Sequence, residues 1–442
     1  MSNPRHVSRP RPSLRRFMLD VSPLRDFRDY RLLWSGQSVN VIGNQITRVA
    51  LPYQVYVLTH STLAVAGLSL VQLVPLLLFA LGGGSLADAF DRRKLLLVTQ
   101  SGLALSSLAL AIVSLQTSPP LLLLFGIAFV AASFSAIDWP ARSSAVPRLV
   151  PPNRLPAAIA LGQVSLNAGS IIGPAIGGVV LATVGVSGAY ALDVVTFAVF
   201  IAAIAALRPI PPLVAGARPG MSAILDGLRF VRQRRVILST FAIDLNAMIF
   251  GMPNALFPAL ALDVFRAGPI GVGLLNAAPA LGAFVGAVIS GAVTRIRRVG
   301  RGIIVAVAVW GIAIVLFGLS TILPLSVAMP LALVSLAVAG GADVLSAVLR
   351  SSVVQLATPD ELRGRVSAIH IVVVTSGPRI GDIEAAAVAS VIGAQLSALS
   401  GGILCLLGVF VVARWYPELD RHEAVASPTK PPAEPPAEPV AA

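Results

Sequence analysis

Arg142-Ser143-Ser144-Ala145-Val146 recurs as Arg350-Ser351-Ser352-Val353-Val354, 208 residues further along the chain. Each copy follows a long apolar run. A second landmark agrees: Gly84 and Gly291 each close the second apolar run of their half, 207 residues apart. Two landmarks at one spacing predict a duplicated chain in which each half contributes the same succession of elements. The surrounding apolar runs say what those elements are. Six fall at about 39–59, 63–87, 95–116, 120–137, 157–182 and 186–207, and six more at about 236–261, 270–293, 302–321, 324–348, 366–392 and 395–415. Most come close to or exceed the roughly 20 apolar residues that an α-helix needs to span a bilayer.

Composition supports that reading. Of 442 residues, 56% are hydrophobic and 12% charged, and mean hydropathy is +0.85. Soluble domains carry about 25% charged residues, so a water-soluble enzyme is excluded and an all-α integral membrane protein is expected. Cys405 is the one cysteine and sits in an apolar run, which leaves no disulfide framework and no thiolate metal site. The chain has no GxxxxGK[ST] phosphate loop and no HExxH pair, so ATP is not the expected direct energy source and no cofactor or metal is expected.

The formal charge of +13 would suggest nucleic-acid binding in a soluble protein. Placement decides otherwise. Eight arginines lie in residues 1–31; others cluster at Arg92 to Lys94, Arg142 to Arg154, Arg208 to Arg235, Arg295 to Arg301, and Arg350 to Arg365. Counted against twelve spans, these loops all fall on one side, with Arg266 alone on the other and Arg48 and Arg379 inside spans. The positive-inside rule then puts both termini in the cytoplasm. Only Lys94 and Lys430 are lysines, a bias of GC-rich genomes that suggests a bacterial cytoplasmic membrane. The expected organisation is an amino tail (1–38), a six-helix bundle (39–207), a cytoplasmic linker (208–235) with an amphipathic piece at Ala223 to Phe230, a second six-helix bundle (236–415) and a disordered tail (416–442).

Gly84-Ser85-Leu86-Ala87-Asp88-Ala89-Phe90-Asp91-Arg92-Arg93-Lys94 resembles the signature loop between spans two and three of major facilitator transporters. The resemblance implies twelve helices in two pseudo-symmetric six-helix halves, with the cargo path between them. It implies that Asp88 caps the amino end of span eleven and that Arg92 pairs with an acid at the foot of span four, a position matched by Asp138. A carboxylate at a helix amino end gains about 0.3–1 kcal/mol. Ala89 and Asp91 depart from the family pattern, which prefers a basic residue and a glycine there. Gly169-Ser170-Ile171-Ile172-Gly173-Pro174-Ala175-Ile176-Gly177-Gly178 resembles the antiporter motif of facilitator exporters. Glycines four apart let two helices approach closely and a proline bends the helix, so Gly169, Gly173, Pro174 and Gly177 are expected to seal the cytoplasmic half of the path. Ordinary small-residue packing is the alternative.

A narrower resemblance runs from about Leu24 to Val412. Phe27-Arg28-Asp29-Tyr30-Arg31-Leu32-Leu33-Trp34, Trp139-Pro140-Ala141-Arg142, Phe250-Gly251-Met252-Pro253 and Pro359-Asp360-Glu361-Leu362-Arg363-Gly364-Arg365 are similar to the enterobactin-exporter-like branch. That branch covers siderophore, macrolide and multidrug efflux. It implies a proton-coupled exporter of a siderophore or an amphiphilic drug-like molecule, working as a monomer. An uptake symporter of the same fold and a non-transporting receptor or scaffold are the alternatives.

Charges inside spans are costly, about 2.5–3.5 kcal/mol each, and so are functional candidates. Asp244, Glu384, Arg48, Arg379, Asp382 and Asp193 are the candidates for proton coupling or the cargo path. Asp343 lies two turns before Arg350, the repeat mate of Arg142, and these three are expected to form a structural network at the cytoplasmic end.

Overall fold

The structure, a computed structural model, describes residues 20–80, 90–211, 228–293 and 298–422. Helices occupy the apolar runs: α1 (Arg28–Thr59), α2 (Thr62–Ala80), α3 (Arg92–Val113), α4 (Leu121–Leu149), α5 (Leu155–Thr183), α6 (Gly185–Ala205), α7 (Arg235–Phe250), α8 (Gly268–Val293), α9 (Val299–Ser320), α10 (Leu325–Ala357), α11 (Asp360–Ile392) and α12 (Ala394–Trp415). Among the described residues nine, α3 to α10 and α12, are long and apolar enough to cross a membrane, counting α7 through to Val264. The other three fall short for visible reasons. The apolar stretch of α2 is Thr62–Leu78, while α1 is diluted by polar residues, Asn44, Gln45, Arg48 and Gln54, and α11 by Arg379, Asp382 and Glu384. Helices suit a bilayer because their backbone groups are satisfied within the segment.

The packing repeats as the sequence does. In the first half α1 lies on α5 and α6, α3 on α4 and α6, and α2 on α4. In the second half α7 lies on α11 and α12, α9 on α10 and α12, and α8 on α10. Between the halves α2 packs on α11 and α8 on α5. Exchanging the halves converts one of these contacts into the other, the signature of a pseudo-two-fold relation between parallel repeats.

Two expected boundaries move. Residues 28–38 are helix rather than tail: Tyr30 and Leu33 are buried, the Tyr30 hydroxyl donates to the Ala158 carbonyl at 2.7 Å, and the Trp34 indole N–H donates to the Leu161 carbonyl at 3.0 Å. At the other end, residues 416–422 are ordered. A short helix, Pro417–Asp420, buries Leu419 against the start of α9, Gly300 N–H donates to the His422 carbonyl at 3.2 Å, and Arg235 pairs with Glu418 at 2.8 Å. The remaining tail, most of the linker including Ala223 to Gly227, and the loop containing Gly84 and Asp88 lie outside the described residues.

The expected run at 236–261 is broken. α7 stops at Phe250, and Gly251-Met252-Pro253 leads into a 3₁₀ turn (Asn254–Leu256), one α turn and a π turn (Leu260–Val264). Pro253 has no N–H to continue the ladder. The break is repaired by side chains from neighbouring helices: the Trp310 indole N–H donates to the Gly251 carbonyl at 2.9 Å, and the Asp382 carboxylate accepts from the Ala255 N–H at 2.9 Å.

Among the described residues the apolar core is shared at one end only. We call the end that carries Arg92, Arg142 and Arg350 the basic end. At the far end Ile46, Val55, Leu68 and Tyr190 of the first half belong to one continuous core with Leu256, Phe257 and Phe317 of the second. At the basic end the first half's apolar residues, such as Leu33, Leu96, Phe200 and Tyr30, form cores that share no member with the second half.

Candidate functional site

Two buried charge nodes mark the basic end. In the first half Asp138 accepts from Thr99 at 2.7 Å and Gln100 at 2.8 Å and pairs with Arg142 at 2.6 Å, while Arg142 lies over the Phe200 ring at 4.9 Å. The node ties α3, α4 and α6 together. The expected partnership of Asp138 with Arg92 is replaced by this one, because Arg142 sits one turn away on the same helix face. Arg92 itself donates to the Pro211 carbonyl at 3.3 Å, which fixes the start of the linker against α3.

The second node is not a copy of the first. Arg350 takes the place of Arg142, but the position equivalent to Asp138 is Ser346, which accepts from Arg350 at 3.0 Å. The negative charge comes from elsewhere: Asp244 on α7 lies 2.8 Å from Arg350, and Asp343 lies 3.6 Å from it. Asp244 is fully buried, and neither of its oxygens accepts any further hydrogen bond. Asp244 is thus placed in the node with Arg350 and Asp343 rather than on an open path. Arg142 belongs to a separate node, so the expected three-residue network divides by halves.

The far end is where the halves meet. The Tyr56 hydroxyl on α1 donates to the Asp263 carboxylate in the π turn after α7. Ser69 on α2 donates to Asp382 on α11 at 2.7 Å, so Asp382 holds the break in α7 with one oxygen and the opposite half with the other. The glycines of α5 divide their work. Gly169, Gly173 and Gly177 face Val41, Gln45 and Ile46 of α1 within the first half, while Pro174 and Gly178 meet Gly273 of α8 across the halves. A β-carbon on Gly178 would stand 3.1 Å from the Gly273 Cα, and one on Gly273 2.5 Å from the Pro174 carbonyl oxygen. This glycine contact joins the halves at the far end, whereas Gly169, Gly173 and Gly177 of the motif pack on α1 within the first half. Beyond it lies a depression of 760 Å³ bordered by Tyr56, His60, Asp263 and Arg266.

Three other charges differ in setting. Asp193 on α6 is fully buried, accepting from Thr47 at 2.7 Å, Ser107 at 2.6 Å and Thr196; hydroxyls from α1 and α3 solvate it inside the first half, away from the gap between halves. Arg48 on α1 is exposed. Arg379 on α11 is partly exposed and donates to the Thr375 carbonyl at 2.8 Å. Glu384 is partly exposed and has no hydrogen bond or ion pair among the described residues. The structure thus divides the candidates: Asp193 and Asp244 are fully buried, while Arg48, Arg379 and Glu384 are at least partly exposed. Tyr56, Ser69, Asp263 and Gly273 were not singled out from the sequence. Their roles depend on which helices of opposite halves meet, and no spacing along one chain encodes that.

Residues 20–440 match the family model described as transmembrane secretion effector. The chain belongs to that family of major facilitator transporters. It is 27% identical over 398 residues to the enterobactin exporter EntS of Citrobacter koseri, covering 90% of this chain and 92% of the relative, and equally so to that of Escherichia coli O157:H7. Among solved structures it resembles the nucleoside transporter NupG (TM-score 0.73, 13% identity, 88% of this chain and 100% of that one). It also resembles a bacterial homologue of the iron transporter ferroportin in an inward-facing state (TM-score 0.68, 14% identity, 89% and 99%). At these identities the structural likeness speaks to the fold alone. The protein is a multi-pass membrane transporter, and its relatives are transporters rather than enzymes.

Proposed function

We propose that this transporter exports a siderophore, or an amphiphilic molecule of similar chemistry, across the bacterial inner membrane by alternating access, driven by protons moving the other way. The observation that carries the transport mechanism is the divided core: the halves share apolar packing at the far end and keep separate cores at the basic end. With the basic end cytoplasmic, as the arginine distribution predicts, this arrangement is closed to the outside and parted toward the cytoplasm, the state that takes up cargo for export. The similarity to enterobactin exporters over nine-tenths of the chain supports the cargo class.

The far-end contacts are suited to being broken and remade. Besides the shared apolar packing they include a tyrosine-to-carboxylate bond, a serine-to-carboxylate bond and a glycine-to-glycine approach. Proton coupling needs an acid whose surroundings change between states, because desolvation favours its neutral form and hydration its charged form. Asp382, which binds both halves, and Glu384, which has no partner in this state, meet that need better than Asp193 or Asp244, whose partners lie within one half. Opposite displacement of protons and cargo then follows if the acid cannot be protonated and the cargo bound at the same time.

The test is secretion. Cells that make enterobactin but lack their own exporter should release it into the medium again when they express this chain. Unchanged retention inside the cells, with the protein present in the membrane, would remove the siderophore reading. Accumulation inward by right-side-out vesicles would favour an uptake symporter instead.

A further inference from the structure

α8 and α9 both pack on α10, and the three helices leave between them a groove of 760 Å³. Val285 and Ile289 of α8 and Val305 and Val309 of α9 form its walls, and Val338 of α10 lies on its floor. All five are exposed. A difference between the repeats opens this space. In the first half Phe134 of α4 sets its ring against Gly102 of α3; 208 residues further on stands Ala342, a methyl group on the lining of the groove. One end of the groove is charged. Arg298, the N-cap of α9, and Arg301, one turn later, border it, and both are exposed. Leu349, also on the lining, adjoins Arg350, so the charged end is the basic end. Among the described residues no acid lines the groove. From Arg298 to Val309 α9 rises about 16 Å, close to half of the roughly 30 Å hydrocarbon core of a bilayer. The groove is thus cationic where head groups lie and apolar as far as the bilayer midplane.

We propose that this groove is a binding site for one anionic phospholipid, whose phosphate meets Arg298 and Arg301 and whose acyl chain lies between α8 and α9 over Ala342. Guanidinium groups match paired phosphate oxygens with their forked N–H donors, and basic pockets between spanning helices recruit anionic head groups. The charge chooses the occupant. A zwitterionic lipid carries its own cation beside the phosphate and competes with the arginines, whereas an anionic lipid leaves its charge to them. With the basic end cytoplasmic, the lipid comes from the inner leaflet. A chain lying in the groove bridges α8 and α9, so its binding stabilises the second half. The site goes beyond the export reading and depends on neither cargo nor protons, only on the membrane placement of the helices.

The experiment titrates delipidated full-length protein in detergent with phosphatidylglycerol and with phosphatidylcholine of the same acyl chains, and reads bound lipid by native mass spectrometry. The wild type should retain one phosphatidylglycerol in preference to phosphatidylcholine. Arg301→Gln should weaken phosphatidylglycerol binding about fivefold and leave phosphatidylcholine nearly unchanged, while Arg148→Gln, which removes an exposed arginine of the first half, should change neither. Ala342→Phe restores the ring of the first half and should weaken both lipids; Val305→Phe, on an exposed wall, repeats that test where the fold is less at risk. A second readout needs the wild type alone: phosphatidylglycerol with a photoreactive acyl chain should label peptides of α8, α9 and α10, and unlabelled phosphatidylglycerol should compete with it where phosphatidylcholine does not. Equal binding of the two lipids, labelling spread evenly over the other helices, or a groove covered by a second copy, seen as a dimer mass without lipid, would overturn the proposal.

Discussion

At the scale of single residues the structure makes the nodes of the basic end sharply unequal. Asp138 has both oxygens satisfied, whereas Arg350 answers two carboxylates alone. Arg350→Gln should therefore leave the buried Asp244 and the partly exposed Asp343 without a cation and lower stability by about 3–5 kcal/mol, read as a fall in the thermal midpoint of detergent-purified protein. Adding Asp343→Asn should restore part of that loss. If the double variant is no better than the single, the acids were not the source of the cost. A milder effect belongs to Asp91, the cap of α3, whose side chain accepts from the Lys94 N–H at 3.1 Å. Asp91→Ala should cost about 1 kcal/mol and Asp91→Asn far less, since asparagine caps equally well. Asp138 and Arg142 lie one turn apart on one helix, yet the family resemblance outweighed that spacing and assigned Asp138 to Arg92. The partnership of Asp244 with Arg350 was not legible in the sequence, because it joins α7 to α10 across 106 positions.

Among the elements, α5 and α7 carry the mechanics. Spacing alone showed that Gly169, Gly173 and Gly177 share a face, and that face does pack closely on α1. It could not show that the next glycine, Gly178, meets Gly273 from the other half, since that contact depends on how the halves dock. Gly273→Val and Gly178→Val should keep the far end from closing, because the added carbons would press on backbone that cannot move aside. We expect impaired export, and faster labelling from outside of a cysteine placed at Tyr56 in a background lacking Cys405. Gly162→Ala is the control, since open space surrounds that position, and it should leave both readouts unchanged. Equal labelling of all three variants and the parent would remove the far-end closure. The break in α7 shows the same division. Gly251 and Pro253 mark it in the sequence, but that Trp310 and Asp382 would repair it from two other helices was invisible there. Trp310→Phe keeps the ring and loses the N–H, so it should destabilise by about 1–3 kcal/mol through the orphaned Gly251 carbonyl.

At the scale of the whole molecule, a repeat first seen in five residues reappears as the same five helix packings in each half and as a symmetric pair of contacts between them. That much of the fold was legible because duplication, hydropathy and arginine placement are properties of the chain itself. The setting of the intramembrane charges was legible only in part: Arg48, Arg379 and Glu384 keep some exposure, whereas Asp193 and Asp244 are fully buried, each with partners in its own half. The physical reason is that helix facing is set by packing between segments, and segments of this apolar character differ little from face to face. The central claim is proton-driven outward movement of a siderophore through the parted end. It is tested most directly in inside-out vesicles made from cells expressing the protein, with enterobactin supplied outside and the lumen made acidic. The account predicts accumulation of enterobactin in the lumen above its external concentration, lost when the proton gradient is collapsed and strongly reduced in Asp382→Asn or Glu384→Gln. Accumulation that matches vesicles without the protein, or that persists unchanged after the gradient is collapsed, would contradict it.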